Sequence, residues 1–293
     1  MGKATTALFR SLITLAALAA AGLVLADLFR DYLFHPWTRD GQVRAQVIKI
    51  TPRVSGPIVE LAVHDNQPVH KGELLFRIDP RTYQLAVAQA EARLDQALAT
   101  EKVREDQAQR ARDLHRKDPG AISEQALVRK ENSLLVARAN VEVARADLDA
   151  ARLDLQFTEV RAPVDGYVTN LLLRYGSQMV ANQPALALVD RNSFWVYGFF
   201  KETQVRHIHH GDAATVTLMS YPDQPLDGVV DSIGWGIAQQ DGTPAPDLLP
   251  TVNPSFDWIR LAQRIPVRIR ITDVPEGVAL RVGTTASVFV HGD

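Results

Sequence analysis

Few side chains in this sequence are placed to do chemistry. His207, His209 and His210 crowd into "RHIHHGD", and Lys71 precedes Gly72 in "NQPVHKGELLFRID", at a turn that could offer a lysine to a prosthetic group. A metal site needs ligands that converge on one point. Tight spacing on a short predicted helix ending at Gly211 scatters the three histidines around it instead. They read as a solvated helix end, compatible with the C-terminal dipole when protonated. No glycine-rich phosphate loop, nucleophile-elbow pentapeptide or HExxH run occurs. With zero cysteines, disulfides, thiolate metal sites and a cysteine nucleophile are excluded. The 32 Lys and Arg against 34 Asp and Glu give a net charge of −2, so there is no basic field to attract nucleic acid. No catalytic, cofactor or metal set is expected, and the chain does not read as an enzyme.

The elements around Lys71 say more than the lysine does. "TPRVSGPIVELAVHDNQPVHKGELLFRID" reads as short strands punctuated by Pro52, Gly56, Asn66 and Gly72, and its spacing resembles half of a lipoyl carrier domain. The other half lies far downstream, in "VRAPVDGYVTNLLLRYGSQMVANQPALALVD". Setting Val54-Ser55-Gly56 over Val164-Asp165-Gly166 aligns Ile58 with Val168 and Leu61 with Leu171. One extra residue later, Val69 falls on Val180, Leu75 on Leu186, Ile78 on Val189 and Asp79 on Asp190. Two copies of one unit, each too small to be stable alone, must pair into one β-sandwich. Lys71 is not at the half-domain junction, which Asp79-Pro80 occupies, so it is expected to stay unmodified.

Between the halves the texture changes. Arg81 to about Lys117 contains no Gly or Pro and is rich in helix formers; Pro119 and Gly120 stop the run, and Ser123 is a good N-cap for a second run to about Phe157. In that second run Leu127, Leu134, Val141, Leu148 and Leu155 recur every seven residues, with Ala137, Ala144 and Ala151 three residues after three of them. This is a coiled-coil seam. The first run keeps the rhythm more loosely through Tyr83, Val87, Ala90, Leu94, Ala97, Ala108 and Ala111, with Glu101 and Arg104 as an expected polar layer. Two such runs joined by a short break fold back as an antiparallel hairpin, a rod roughly 50 Å long.

The ends complete the plan. After Lys3 and Arg10, residues 11–26 are uncharged and apolar, close to the lower limit of roughly 17 residues for a membrane span. "LAAAG" also offers small residues suited to signal-peptide cleavage, but the aromatics of "DLFRDYLFHPW" favour a retained anchor. Positive residues before the span place the N-terminus in the cytoplasm and the bulk of the chain in the periplasm. At the other end "SFWVYGFF", "AATVTLMS", "GVVDSIGWG", "IPVRIRI" and "TTASVFV" read as strands of a small antiparallel barrel. The fold class is therefore α+β: an N-terminal transmembrane helix, a lipoyl-like sandwich split by an antiparallel helical hairpin, and a β-barrel. The expected boundaries are 1–36 for the anchor and juxtamembrane segment and 37–51 for a strand joining the barrel. The sandwich halves take 52–79 and 160–190, the hairpin 80–159 and the barrel 191–293.

This nested order, with "HPWTRDGQV", "VSGPIVELAVHDNQPVHKGELLFRID", "FTEVRAPVDGYVTNL" and "FDWIRLAQRIPVRIRI", resembles the membrane fusion protein family of HlyD-type periplasmic adaptors. Its nearest branch is that of the p-hydroxybenzoic acid efflux pump adaptor subunits. The resemblance implies an adaptor in a tripartite efflux pump, anchored in the inner membrane and forming a trimer or hexamer. Its partners would be an inner-membrane transporter and a TolC-like outer-membrane channel, with aromatic carboxylic acids as cargo. Adaptors of major-facilitator multidrug pumps or of other secretion systems are the alternative, and a structural coiled-coil envelope protein without transport is a third. In the family an Arg, a Leu four residues on and the Ser that starts the second helix carry the channel contact, which implies Arg110, Leu114 and Ser123 here. The gap from Leu114 to Ser123 is longer than the family pattern by a couple of residues and contains Asp118-Pro119.

Overall fold

A computed structural model describes residues 36–236 and 262–291, with isolated helical positions at 15, 18–20 and 22. The anchor expected over 11–26 otherwise lies outside the described residues. Among the described residues no helix is long and apolar enough to cross a membrane. The chain divides into two units, one of Val47–Asn192 and one of Met1–Gln46 with Ser193–Asp293.

The discontinuous unit holds a closed six-stranded barrel in the order β1-β10-β13-β12-β11-β14. These strands are β1 (Trp37–Arg44), β10 (Trp195–Lys201), β11 (Ala213–Leu218), β12 (Leu226–Ile233), β13 (Arg264–Ile271) and β14 (Thr285–His291). Alternation sorts the faces as the sequence pattern requires. Along β10, Val196 and Phe200 are fully buried in the barrel core, while Trp195, Tyr197 and Phe199 line the outer face. Closure leaves no sheet edge unpaired, and bulges between Thr38 and Gly41 and between Val230 and Ser232 supply local bends.

One expectation is corrected at the entry to the barrel. The strand read as a single element over 37–51 is two strands. β1 closes the barrel between β10 and β14, whereas β2 (Val47–Ile50) pairs with β9 (Leu186–Asp190) in the sandwich. The break falls at Ala45-Gln46, where the amide of Gln46 is held by Ser193 Oγ at 2.8 Å instead of by a ladder.

The sandwich is built from β2, β3 (Gly56–Leu61), β4 (Pro68–Val69) and β5 (Leu74–Ile78), then β6 (Glu159–Arg161), β7 (Gly166–Thr169), β8 (Gln178–Met179) and β9. Its two sheets are β2-β9-β7-β4 and β6-β5-β3-β8. Exchanging the first four strands with the last four turns one order into the other, so the repeat is a pseudo-two-fold. Each sheet has two central strands from one half and both edge strands from the other.

Hydrogen bonds repeat with the fold. Asn66 N donates to Val168 O at 2.9 Å, and its counterpart Gly176 N donates to Ile58 O at 2.8 Å. Ser55 Oγ accepts from Ala181 N at 2.9 Å, and Asp165 Oδ1 accepts from Lys71 N at 2.7 Å. The left-handed turns match as well: Asn66 (φ 63°) with Gly176 (φ 82°), and Gly72 (φ 85°) with Asn182 (φ 63°). These pairs move the extra residue of the second half. It enters after β8, so Met179 is the equivalent of Val69, and Val180, aligned with Val69 from sequence, is 47% exposed. An alignment of apolar residues chose the β-branched neighbour; the ladder chose the residue that pairs with Gly56 as Val69 pairs with Gly166.

Gly166 is where β7 packs most tightly on β9. A Cβ there would lie 2.2 Å from the carbonyl oxygen of Val189, which cannot move aside without breaking the β7–β9 ladder. Gly166→Ala should destabilise the sandwich by about 1–3 kcal/mol, while Gly236→Ala, with nothing within 4 Å, should be neutral; thermal unfolding of the two variants checks this. A second expectation concerns acid. Glu159 on β6 has its carboxyl held below its ordinary value of 4.5, chiefly by a hydrogen bond from Arg161; burial opposes this, and the charges of Arg161 and Arg77 add to the lowering. A depressed carboxylate stabilises the fold at pH above its ordinary value and loses that contribution as pH falls through the folded value. The unfolding temperature of Glu159→Gln should therefore fall less steeply than that of the unaltered chain on acidification below about pH 4.5.

Candidate functional site

The insertion between β5 and β6 is a helical hairpin carried by the sandwich. α1 (Arg81–Lys117) and α2 (Glu124–Gln156) run antiparallel. Between them a seam of alternating bulk forms. Leu134, Ala137, Val141, Ala144 and Leu148 of α2 are buried, against Ala90, Ala108 and Ala111 of α1. Of the five seam residues read from the sequence, Leu134, Val141 and Leu148 are buried, and Leu127 and Leu155 at the two ends are half-buried. Alanines opposite leucines let two backbones approach closely, as a two-helix rod with no third layer requires.

Glu101 and Arg104 do not form the polar layer expected of them. Arg104 is exposed and donates to Gln107 on its own helix at 3.2 Å. Glu101 reaches across to Arg138 of α2 at 3.3 Å, and the same guanidinium meets Glu105 at 3.0 Å. Arg152–Glu91 at 3.0 Å and Arg112–Glu131 at 2.8 Å are further rungs across the seam. Each exposed pair is worth only about 0–1 kcal/mol, so their effect is on register more than on stability. The sequence carried this signal in the acid and arginine residues flanking the a and d positions, but pairing them needs the level of one helix against the other.

The base of the hairpin is fastened to the sandwich. Tyr83 Oη donates to Ser55 O at 2.7 Å, and Arg53 stacks over Phe157 with its guanidinium carbon 4.6 Å from the ring centroid. Tyr83 and Phe157 both pack on the sandwich core, and Ile78 N donates to Thr158 O at 2.9 Å to rejoin the strands below. Asp79 and Arg81 form an ion pair at 2.6 Å, and hydrogen bonds from Arg81 hold the Asp79 carboxyl below its usual range. A cleft of about 670 Å³ beside this base is lined by Arg77, Gln84, Leu155, Glu159 and Arg161 among others. Its charges are engaged: Arg77 with Glu60 at 2.8 Å and Glu159 at 3.3 Å, and Arg161 with Glu159 at 2.7 Å. It reads as an ion-pair cluster that braces the hairpin rather than as a ligand cradle.

At the far end Arg110 and Leu114 lie one turn apart on α1 and both are exposed, Leu114 by 46%. Arg110 Nε donates only to Asp106 O of its own helix, at 3.1 Å. His115, half-buried, takes the last inward position, so Leu114 is not a seam residue. Ser123 caps α2, its Oγ accepting from Ala126 N at 3.3 Å. The connection is a tight turn: Asp118 Oδ1 accepts from Gly120 N at 2.9 Å and Asp118 O from Ala121 N at 3.0 Å. Basic His115, Arg116 and Lys117 close α1 and acidic Glu124 opens α2, each complementing its helix dipole. Leu114 is exposed about one turn before the end of α1 and Arg110 about two turns before it.

The other candidates are placed apart. The short helix expected to carry the histidines is α3 (Glu202–Val205), four residues that end before them. His207 Nε2 accepts from Arg206 at 2.8 Å, His209 N donates to Asp212, and His210 Nδ1 lies 2.7 Å from Asp231 O. They diverge to separate partners, and among the described residues no group of metal-binding side chains gathers. Lys71 is exposed on its turn, joined to the second half through its backbone amide.

Comparison with known proteins agrees with this architecture. Residues 46–191 match the family model described as RND MFP, barrel-sandwich hybrid domain, and residues 193–291 match the AAEA-like beta-barrel domain. The uncharacterized protein YdhJ of Escherichia coli K12 is 41% identical over 263 residues, covering 90% of this chain and 91% of its own. Among solved structures, the membrane fusion protein Spr0693 of Streptococcus pneumoniae R6 superposes with a TM-score of 0.63 at 17% identity, over 87% of this chain and 98% of its own. A MacA-MexA chimera carrying the Pseudomonas aeruginosa MexA α-hairpin domain gives 0.60 at 23% identity, over 87% and 83%. The split sandwich, its inserted hairpin and the barrel thus belong together as one known design, and this chain is a member of the membrane fusion protein family of HlyD-type adaptors.

Proposed function

We propose that the protein is the periplasmic adaptor of a tripartite efflux pump, held in the inner membrane by residues 11–26 and joining an inner-membrane transporter to a TolC-like outer-membrane channel. The observation that supports this reading is the exposed Arg110 and Leu114 in the last two turns of α1, with Ser123 capping α2 across the connection, on a rod whose base is fastened to the sandwich. A rod fixed at its base can transmit position, and the family is one of adaptors rather than enzymes. The turn presents Leu114 for burial in an apolar notch and Arg110 for a carboxylate or carbonyl on the channel. The extra length of the Asp118–Ile122 turn adapts the contact to that channel. Copies assemble as a trimer or hexamer around the conduit, with the barrel toward the transporter. The cargo we infer is an aromatic carboxylic acid, on the resemblance of the sequence to the p-hydroxybenzoic acid efflux pump adaptors.

Arg110→Glu combined with Leu114→Asp should weaken channel binding by roughly 2 kcal/mol, about thirty-fold. Cells carrying the variant should become sensitive to p-hydroxybenzoate while the adaptor stays in the membrane fraction and retains its unfolding temperature. Unchanged resistance and unchanged co-purification with the channel would overturn the tip assignment. Lost co-purification with resistance to aromatic acids intact would leave docking standing and remove the cargo assignment.

A further inference from the structure

The barrel carries a groove on its outside that neither its core nor its closure accounts for. A cavity of about 320 Å³ opens on the outer face of β1, β14 and β11, where the chain enters the barrel. Strand register arranges its lining in two rows. Trp37 is paired with Phe289, and Phe289 with Thr215, so one row is two aromatic rings and a hydroxyl. Two residues along β14, Ser287 is paired with Thr217. The bulge in β1 sets Arg39 and Asp40 together opposite Ser287, which makes this second row polar throughout. Val216, Val288 and Val290, the alternate residues of β11 and β14, belong to the barrel core, so both rows face outward.

The bulge is what separates the charges. An inserted residue re-aims the side chains of its strand. Asp40 forms an ion pair with Arg264 of β13. Arg39 folds back along its own strand, its guanidinium carbon 5.5 Å from the centre of the Trp37 ring. The ladder then resumes at Gly41, where a Cβ would meet the carbonyl oxygen of Ala286 at 2.6 Å, so the bulge is confined to Arg39-Asp40. Among the described residues Arg39 has no carboxylate partner, and the hydroxyls of Thr217 and Ser287 make no hydrogen bond. Thr215 differs: its Oγ1 lies 2.8 Å from His291 Nε2, and His291 packs edge-on to Phe289 with ring centres 4.9 Å apart. The aromatic row is thus braced, while one cation and two hydroxyls are left available.

We propose that this groove binds a small aromatic acid, its ring against Trp37 and Phe289 and its carboxylate on Arg39. The volume lies at the lower end of the roughly 300–1,000 Å³ of ligand sites, which suits a single ring with its substituents. Aromatic side chains receive a flat ring on a face or an edge. A guanidinium offers a carboxylate two parallel N–H groups, and Ser287 and Thr217 stand ready for a polar substituent on the ring. That the ligand is the exported cargo rests on the adaptor reading; the groove and the class of molecule it takes do not. If both hold, the adaptor touches its cargo directly at the barrel.

The full chain, purified in detergent, is titrated with p-hydroxybenzoate and followed by saturation-transfer NMR. The expected result is saturable binding with a Kd on the order of 0.1–1 mM, the strength open to about ten heavy atoms. Arg39→Gln should weaken it about tenfold without changing the unfolding temperature, and Trp37→Leu about as much. Arg270→Gln, exposed on the outer face of β13 away from the groove, should bind as the unaltered chain does. p-Hydroxybenzamide keeps the ring and lacks the charge, and hexanoate keeps the charge and lacks the ring; each should bind about fivefold more weakly or worse. No saturable binding would overturn the inference, as would binding unmoved by Arg39→Gln or equal binding of the amide or of hexanoate. The adaptor reading is scored separately. Arg39-dependent binding in a chain whose tip substitutions leave resistance intact would keep the groove and remove that reading, and tip-dependent resistance without binding would do the reverse.

Discussion

The structure depends on the fact that neither half of the sandwich is complete without the other. Each sheet takes its two centre strands from one half and its two edge strands from the other. The edge strands β4 and β8 are only two residues long and have no standing on their own. Paired backbone bonds such as Asn66–Val168 and Gly176–Ile58 exist only once both halves have met. The long insertion between β5 and β6 must therefore return to its starting point, and an antiparallel pair of long helices is the simplest chain that does so.

That requirement explains the hairpin's chemistry. A two-helix rod has no third layer to cover its seam, so close approach has to come from the small residues within it. Alanine at alternate seam positions supplies it, and cross-seam arginine–glutamate rungs hold the level. The rod is rigidly aimed because Tyr83 and Phe157 sink into the sandwich core and Arg53 closes over the latter. What this placement transmits is position: the tip turn is displayed at a fixed distance from the sandwich. A carrier domain would need a lysine at the junction between its halves, and here that junction is Asp79-Pro80, with Asp79 paired to Arg81.

Legibility from the sequence differed between elements for physical reasons. Both helices end where Pro119-Gly120, Ser123 and the strand residues say they should, because caps and breakers act within a few residues of themselves. The seam residues follow from a period that is local to one helix. The polar rungs were misassigned to Glu101 with Arg104 because pairing across a hairpin depends on its register. The repeat was aligned one residue off at Val180, since the β-branched residue looked like a better core match than Met179 until the ladder fixed the pairing. The strand over 37–51 read as continuous because alternation persists across Ala45-Gln46, although the two parts serve different sheets.

By itself the sequence determined the extents of the two long helices, their antiparallel fold-back, the existence of an internal repeat and the absence of a cysteine or cofactor motif. These follow from local periodicity, from residue types that start and stop elements, and from composition. The tertiary structure alone decided which strands share a sheet, where the extra residue of the repeat sits and which charges meet across the hairpin. Those are relations between residues tens of positions apart. They are set by hydrogen-bond ladders and helix register, and no window of sequence contains both partners.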